Sequence, residues 1–122
     1  LVGSEMCIRD SRNTVETWSA LPLQLAETTT YDFTSSLISA FSDGINPPMR
    51  YVGGGNYAIY SGDVNQDGSI DVLDMIDTEV DASNFSFGYN TTDCTGDGVT
   101  DLLDIIGVEV NASKFIYFAR PY

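Results

Sequence analysis

The chain has 122 residues, with 18 Asp or Glu, 5 Lys or Arg and no His, and its formal charge near neutral pH is −13. The acidic excess argues against nucleic-acid partners and anionic membranes. The lack of His excludes imidazole-based catalysis, and no apolar run reaches the roughly 20 residues of a membrane-spanning helix. We therefore expect one domain or two very small ones, without nucleic-acid binding or membrane insertion.

The N-terminal segment 1–11, LVGSEMCIRDS, resembles the translation of an adapter used in sequencing libraries. We therefore expect this segment to be foreign to the natural protein and the native part to be a fragment that begins near Arg12. Cys7 lies within the segment, so Cys94 is the single cysteine of the expected native part. No internal disulfide is expected there.

Residues 12–61 form a predicted β-rich segment, which we interpret as the possible end of a truncated β-sandwich. Alternating apolar and polar residues between turn signals predict its strands. The predicted strands are Thr14–Trp18, Leu21–Leu25, Tyr31–Phe33 and Tyr57–Tyr60. A short turn of helix is expected within Ser35–Phe41, before a stretch that contains Asp-Gly and Pro-Pro breakers.

The C-terminal half contains an internal duplication. Residues 63–85 align with residues 93–115 at an offset of 30, and 12 of the 23 aligned pairs are identical. In each copy, apolar residues then recur at i, i+3 and i+7, which predicts a helix of about three turns. These residues are Leu73, Ile76 and Val80, and then Leu103, Ile106 and Val110. We expect the two leucines to lie in the core, and Glu79 and Glu109 to face solvent.

Each copy begins with a twelve-residue acidic window, D-V-N-Q-D-G-S-I-D-V-L-D in the first and D-C-T-G-D-G-V-T-D-L-L-D in the second. Oxygen-bearing side chains occupy positions 1, 3, 5, 9 and 12, and Gly occupies position 6. This is the spacing by which an EF-hand loop surrounds calcium, a hard cation that takes six to eight oxygens. With the backbone carbonyl at position 7, the predicted ligands are Asp63, Asn65, Asp67, Ser69, Asp71 and Asp74, and then Asp93, Thr95, Asp97, Val99, Asp101 and Asp104.

The donor set favours two Ca²⁺ ions. Mg²⁺ prefers a tight octahedral shell with several waters, and Zn²⁺ prefers imidazole or thiolate ligands. Between Asp63 and Asp104 there are 11 acidic residues and no Lys or Arg, so two divalent ions would neutralise four negative charges. The alternative is a pair of Asp-Gly turns on a solvated acidic face, which the duplication disfavours. Ile70 and Thr100, at position 8, are expected to pair in a β-bridge between the loops.

The duplicated D-x-N-x-D-G-x-I-D-x-x-D loop, with Asp in place of the usual Glu at position 12, resembles the dockerin family. Four further stretches resemble the dockerin-like C-terminal region of secreted bacterial surface proteins. They are R-N-T-V-E-T-W-S at Arg12–Ser19, Y-D-F-T at Tyr31–Thr34, Y-A-I-Y-S-G-D-V-N-Q-D-G at Tyr57–Gly68, and Arg120-Pro121. The resemblance implies an α+β fold with a dockerin-like pair of calcium loop-helix units in residues 62–118. It also implies a secreted or cell-surface location and a cohesin-like protein partner.

We therefore expect a non-catalytic structural or anchoring module in which calcium clamps the two loops. One alternative is a subunit or terminal domain of an extracellular fibre or adhesin, which assembles with neighbouring copies of itself through the β-rich part. Another is the C-terminal appendage of a secreted glycoside hydrolase or other enzyme. Three Asn-x-Ser/Thr triplets, at Asn84, Asn90 and Asn111, are candidate glycosylation sites in a competent secretory host.

Overall fold

The computed structural model describes residues 13–21 and 30–119, together with the backbone of Cys7–Ile8. These residues contain two α-helices and short two-stranded antiparallel sheets, which confirms the α+β class. No helix in this described part of the chain is long and apolar enough to cross a membrane. The chain divides into two compact units. The first comprises Leu1–Arg9, Glu16–Ile59 and Phe118–Tyr122, and the second comprises Asp10–Val15 and Tyr60–Tyr117.

The first unit contains the four strands of the described residues. Strand β1 (Cys7–Ile8) pairs antiparallel with β2 (Thr17–Trp18). Strand β3 (Arg50–Gly53) pairs antiparallel with β4 (Asn56–Ala58), with an irregularity in the register between Tyr51 and Gly53. A 3-10 helix at Leu37–Ser39 lies within the predicted helical turn.

The strand predictions are confirmed only in part. Strand β4 overlaps the predicted Tyr57–Tyr60, and β2 is the end of the predicted Thr14–Trp18. Residues 31–33 form no strand. Tyr31 packs against a small core of Phe33, Ala40 and Met49. Strand β3 was not predicted. The predicted Leu21–Leu25 lies outside the described residues except for Leu21, which is exposed.

The second unit contains helices α1 (Val72–Ser83) and α2 (Leu102–Ser113), which pack against each other. Each helix has 12 residues, so the predicted length of about three turns is confirmed. Each helix begins at a capping box. The N-cap carboxylates of Asp71 and Asp101 accept backbone N–H bonds at 2.8 Å, and the third helical residue is an Asp that bonds back to the N-cap N–H. These reciprocal bonds satisfy N–H groups that a helix start otherwise leaves unpaired.

The prediction that Leu73 and Leu103 lie in the core is wrong, since 54 % and 61 % of their surfaces are exposed. The buried face carries Asp74 and Thr78 on α1 and their equivalents on α2, Asp104 and Val108. Asp74 and Asp104, the last residues of the loops, accept hydrogen bonds from their own loops. These bonds fix the rotation of each helix about its axis. The residue four positions later shares that inner face, so the apolar stripe points outward. Glu79 and Glu109 are exposed, as predicted.

The predicted bridge between Ile70 and Thr100 is also wrong. The neighbouring residue Ser69 forms a bridge with Tyr117, and Val99 forms one with Phe87. The N–H of Ile70 donates to the Ile116 carbonyl at 2.8 Å, and the N–H of Thr100 donates to the Ser86 carbonyl at 2.9 Å. Each loop therefore bonds to the segment that follows the helix of the other copy. The position-8 N–H groups find their acceptors there, so the loops do not pair with each other.

The apolar core of the second unit is small and includes Ile70 and Val108, which are 1 % and 0 % exposed. Gly62 lies against both residues with a φ of +118°. A Cβ at this position would lie 3.2 Å from the Ile70 Cγ2 and 3.5 Å from the Val108 Cα. Gly62 is therefore required both by its left-handed backbone and by the close approach of the core.

We expect Gly62→Ala to lower the free energy of unfolding of the second unit by roughly 3 kcal/mol, because it combines a positive φ with overpacking. Gly88→Ala is the matched control. Gly88 has a φ of +98° but nothing within 4 Å of its Cβ position, so only the backbone cost of about 1 kcal/mol applies. Denaturant unfolding followed by circular dichroism measures both. Equal losses would show that the core does not close over Gly62.

Candidate metal centre

Two clusters of three carboxylates lie in the loops of the second unit. The first cluster is Asp63, Asp67 and Asp74, and the second is Asp93, Asp97 and Asp104. Within each cluster, one carboxylate oxygen from each residue lies within 4.8 Å of the others. The outer two residues are buried and the middle one is exposed. These are positions 1, 5 and 12 of the predicted loops, and they lie close enough together to hold a metal ion.

The position-1 carboxylates are oriented by backbone N–H groups of their own loops. Asp63 accepts from Asp67 at 3.1 Å and from Gly68 at 3.1 Å. Asp93 accepts in the same way from Gly96 at 2.8 Å and from Gly98 at 2.9 Å. These hydrogen bonds hold each loop around its first carboxylate, and all of their donors are backbone N–H groups. Their directions are fixed by the backbone, so each loop positions its own carboxylate.

The position-12 carboxylates close the loops and start the helices. One oxygen of Asp74 accepts from the N–H of Val64 at 2.9 Å, and the other accepts from the N-cap N–H at 2.9 Å. Asp104 accepts from Thr95 at 2.9 Å and from the N-cap of α2 at 2.9 Å. Both carboxylates are fully buried. The same side chain thus sets the end of the loop, the start of the helix and one corner of the cluster.

The other six predicted ligands are two carboxylates that do not belong to the clusters, and four residues that would offer amide, hydroxyl or backbone carbonyl oxygens. At position 9, Asp71 and Asp101 are the N-caps of the helices. At position 3, the Asn65 Oδ1 accepts from the N–H of Asp67 at 2.9 Å, and the Thr95 hydroxyl contacts Asp93 Oδ1 at 3.3 Å. At position 7, the residues belong to the two β-bridges described above. They are Ser69 and Val99.

The sequence did not indicate a role for Asn13, whose side chain forms hydrogen bonds at the start of the second loop. Its Nδ2 donates to the carbonyls of Thr91 and Asp93, both at 3.1 Å. The Asn13 carbonyl accepts from the N–H groups of Gly62 and Asp63 at 2.7 and 3.1 Å. Asn13 therefore bonds to the entry of both loops. Asn13 lies in the stretch Arg12–Ser19, but nothing in that stretch indicates a contact with the loops. Because 80 positions separate Asn13 from Asp93, only the folded contacts reveal its role.

The pKa values of the carboxyl groups differ between the two clusters. Burial raises the pKa of Asp63 to about 6, and the nearby charges of Asp74 and Asp67 act in the same direction. Burial also raises the pKa of Asp74. At Asp93, burial acts in the same direction, but the hydrogen bonds from Gly98, Gly96 and neighbouring groups outweigh it and lower the pKa. The first cluster is therefore the one that binds a proton more readily near neutral pH.

No protein-family model, no curated protein and no solved structure matches this chain. The chemistry of the clusters themselves is therefore the guide to function. Their donor atoms are all carboxylate oxygens, which suit a hard cation. Cys94, at position 2 of the second loop, is half-buried and belongs to neither cluster.

The pKa of Asp63 makes the metal-free protein more stable at mildly acidic pH. Its ordinary value is 3.8 and its value in the folded chain is about 6. The folded state therefore binds more protons than the unfolded state between these values, so stability falls as pH rises through that window. Thermal unfolding without divalent ions should give a Tm a few degrees higher at pH 5 than at pH 7.

Asp63→Asn should reduce this pH dependence, whereas Asp77→Asn, at an exposed acid outside the clusters, should leave it unchanged. A Tm that rises between pH 5 and pH 7 in the metal-free chain would contradict the assignment.

Proposed function

We propose that the chain is a non-catalytic, calcium-stabilised anchoring module of a secreted or cell-surface bacterial protein. The observation that carries this proposal is the pair of carboxylate clusters at identical positions of an internal duplication. The resemblance of the loops to dockerin loops supports the fold assignment and the extracellular location.

Calcium is the ion that best fits the clusters. Burying carboxylates without a counter-charge is costly, and no Lys or Arg occurs between Asp63 and Asp104. A divalent cation would neutralise each cluster. The amide of Asn65 and the carbonyls at position 7 would add to an all-oxygen shell, which suits the six to eight ligands of Ca²⁺ better than the tight octahedron of Mg²⁺.

The proposed ion is a folding clamp rather than a signal. A ligand at about 100 times its Kd stabilises the folded state by about 2.7 kcal/mol per site. Two such sites would supply a large part of the roughly 5–15 kcal/mol that stabilises a small domain. Each ion would hold the start of one helix, because Asp74 and Asp104 belong both to a cluster and to a capping box.

The anchoring role is supported by two exposed apolar stripes on the helices. The α1 stripe is Val72, Leu73, Ile76 and Val80, and the α2 stripe is Leu102, Leu103, Ile106 and Val110. Between 36 % and 65 % of each of these residues is exposed. Contiguous apolar surface of this kind marks interaction sites. A cohesin-like domain is the partner that we propose for this face.

A fibre or adhesin subunit is the second candidate function. Strand β3 has no further strand beside it among the described residues, and 58 % of both Tyr51 and Val52 is exposed. An open apolar edge of this kind can pair with a strand of a neighbouring copy. In that case calcium would stabilise the subunit, and the β-rich part would make the assembly contact.

Ca²⁺ should raise the Tm of the chain by more than about 10 °C relative to excess chelator, because each ion adds a few kcal/mol. Mg²⁺ should restore little of this gain. Asp67→Ala and Asp97→Ala should each remove part of it, since each variant loses an exposed ligand of one cluster. Scanning calorimetry measures the shifts.

Glu79→Ala is the control, because Glu79 is an exposed acid of α1 outside both clusters. It should keep the full calcium response. Equal Tm values in calcium and in chelator would refute the clamp.

A further inference from the structure

We propose that Asn13 couples the two ion sites, so that an ion held in one loop raises the affinity of the other loop for its own ion. This inference rests on the calcium clamp proposed above. It adds a third component to the duplicated loops and helices. That component is the segment of residues 13–15, which belongs to the second unit but lies outside the duplicated residues 63–85 and 93–115.

Asn13 forms hydrogen bonds with the first residue of each loop. Its backbone carbonyl accepts from the N–H of Asp63 at 3.1 Å, and its Nδ2 donates to the carbonyl of Asp93 at 3.1 Å. Asp63 and Asp93 each belong to one of the carboxylate clusters. Asn13 is buried, with 8 % of its surface exposed, so these bonds are largely shielded from water. One residue therefore connects position 1 of the first loop to position 1 of the second.

The position-1 residues are where a bound ion would order the loops. The carboxylate of Asp63 accepts from the N–H of Gly68, and that of Asp93 accepts from the N–H of Gly98. Fixing Asp63 in place also fixes the backbone N–H that bonds to Asn13. The Asn13 side chain is then held in position for the second loop, so part of the ordering that the second site requires is already complete. The effect is reciprocal, because a coupling free energy acts equally on both sites.

The first loop has an additional bond to the same segment. The Nε2 of Gln66 donates to the carbonyl of Thr14 at 3.1 Å and to that of Asp63 at 2.7 Å. Gln66 has a φ of +58°, and the second loop has Gly96 at the equivalent position. A left-handed backbone favours glycine, so the glutamine is retained at a conformational cost. Its two hydrogen bonds account for that cost and hold the first loop against residues 13–15.

The two loops form no β-bridge with each other in the described part of the chain, which covers both loops completely. The position-8 N–H groups bond instead to the segments that follow the helices. A direct bridge at position 8 is therefore not the route between the sites. The bonds of Asn13 provide a route that joins the two clusters through one side chain.

The two ends of this connection differ chemically, so one substitution breaks one end alone. The bond to the first loop uses the backbone carbonyl of residue 13, which every substitution retains. The bonds to the second loop use the side-chain amide, which donates to Thr91 and Asp93. Asn13→Ala therefore removes only the second end. Gln66→Gly is the matched control, because it removes a side-chain amide that does not bond to the second loop, and glycine tolerates the positive φ.

The test is a calcium titration of the full chain followed by two-dimensional NMR. The amide signals of Gly68 and Gly98 report the two loops separately, because each N–H donates to the position-1 carboxylate of its own loop. Asp67→Ala disables the first site, and Asp97→Ala disables the second. In each of these variants, we expect the intact site to bind calcium about fivefold or more weakly than the same site in the parent chain.

Adding Asn13→Ala should remove this dependence of one site on the other. In the Asp97→Ala chain, it should change the affinity of the first site by less than about twofold, because the backbone bond remains. Gln66→Gly should preserve the coupling. Asn13→Ser is the second variant at position 13, and it should also lose the coupling, because its hydroxyl is too short to bridge both carbonyls.

Hydrogen exchange gives a readout that does not depend on affinity. In the Asp97→Ala chain, calcium should slow amide exchange at Gly98 as well as at Gly68, since Asn13 transmits the ordering of the first loop. Asn13→Ala should abolish the slowing at Gly98 and retain it at Gly68.

Equal affinities with and without an intact neighbouring site would overturn the coupling. A coupling that survives both substitutions of Asn13, or that Gln66→Gly removes to the same extent, would overturn the role of Asn13. Independent calcium responses at Gly68 and Gly98 refute this inference alone. The absence of any calcium response at either glycine refutes the clamp.

Discussion

Crowded carboxylates are the constraint on which the second unit depends. Asp63, Asp74, Asp93 and Asp104 are at most 2 % exposed, and the segment between the first and the last of them contains no Lys or Arg. Backbone N–H groups orient these side chains, but hydrogen bonds alone do not cancel the repulsion between buried like charges. One divalent ion per loop would remove this cost. The raised pKa of Asp63 has the same cause. In the absence of metal, burial and the neighbouring carboxylates keep this carboxyl group partly protonated near pH 6.

Because of the duplication, the constraint at one loop also affects the other copy of the repeat. Because each loop bonds to the segment after the other copy's helix, neither copy is complete without the other. Asn13 and the carbonyl of Ser61, which accepts from the Asn111 side chain at 2.7 Å, join the parts of the second unit that precede the first loop to the same assembly. The carboxylate that closes each loop also fixes the rotation of its helix. An ion held at the loops would therefore also fix which face of each helix is exposed.

The loops and the helices could be predicted from the sequence, because ligand spacing, Asp-Gly turns and capping residues are local signals. The buried face of the helices could not. The periodicity of the apolar residues located the stripe that contains Leu73 and Leu103. It did not show that Asp74 and Asp104 determine which face of each helix is buried. Thr78 and Val108, four positions later, lie on the same buried face. The crossed bridges at Ser69 and Val99, the contacts of Asn13 and strand β3 also escaped prediction. They depend on residues far apart in the chain or, for β3, on pairing across a glycine turn.

A calorimetric titration of the demetallated chain with Ca²⁺ tests the central claim most directly. The account predicts two ions bound per chain, with much weaker binding of Mg²⁺, because two matched oxygen clusters each accept one large hard cation. A titration that shows no calcium binding, or binding of fewer than two ions by a fully folded chain, would contradict it.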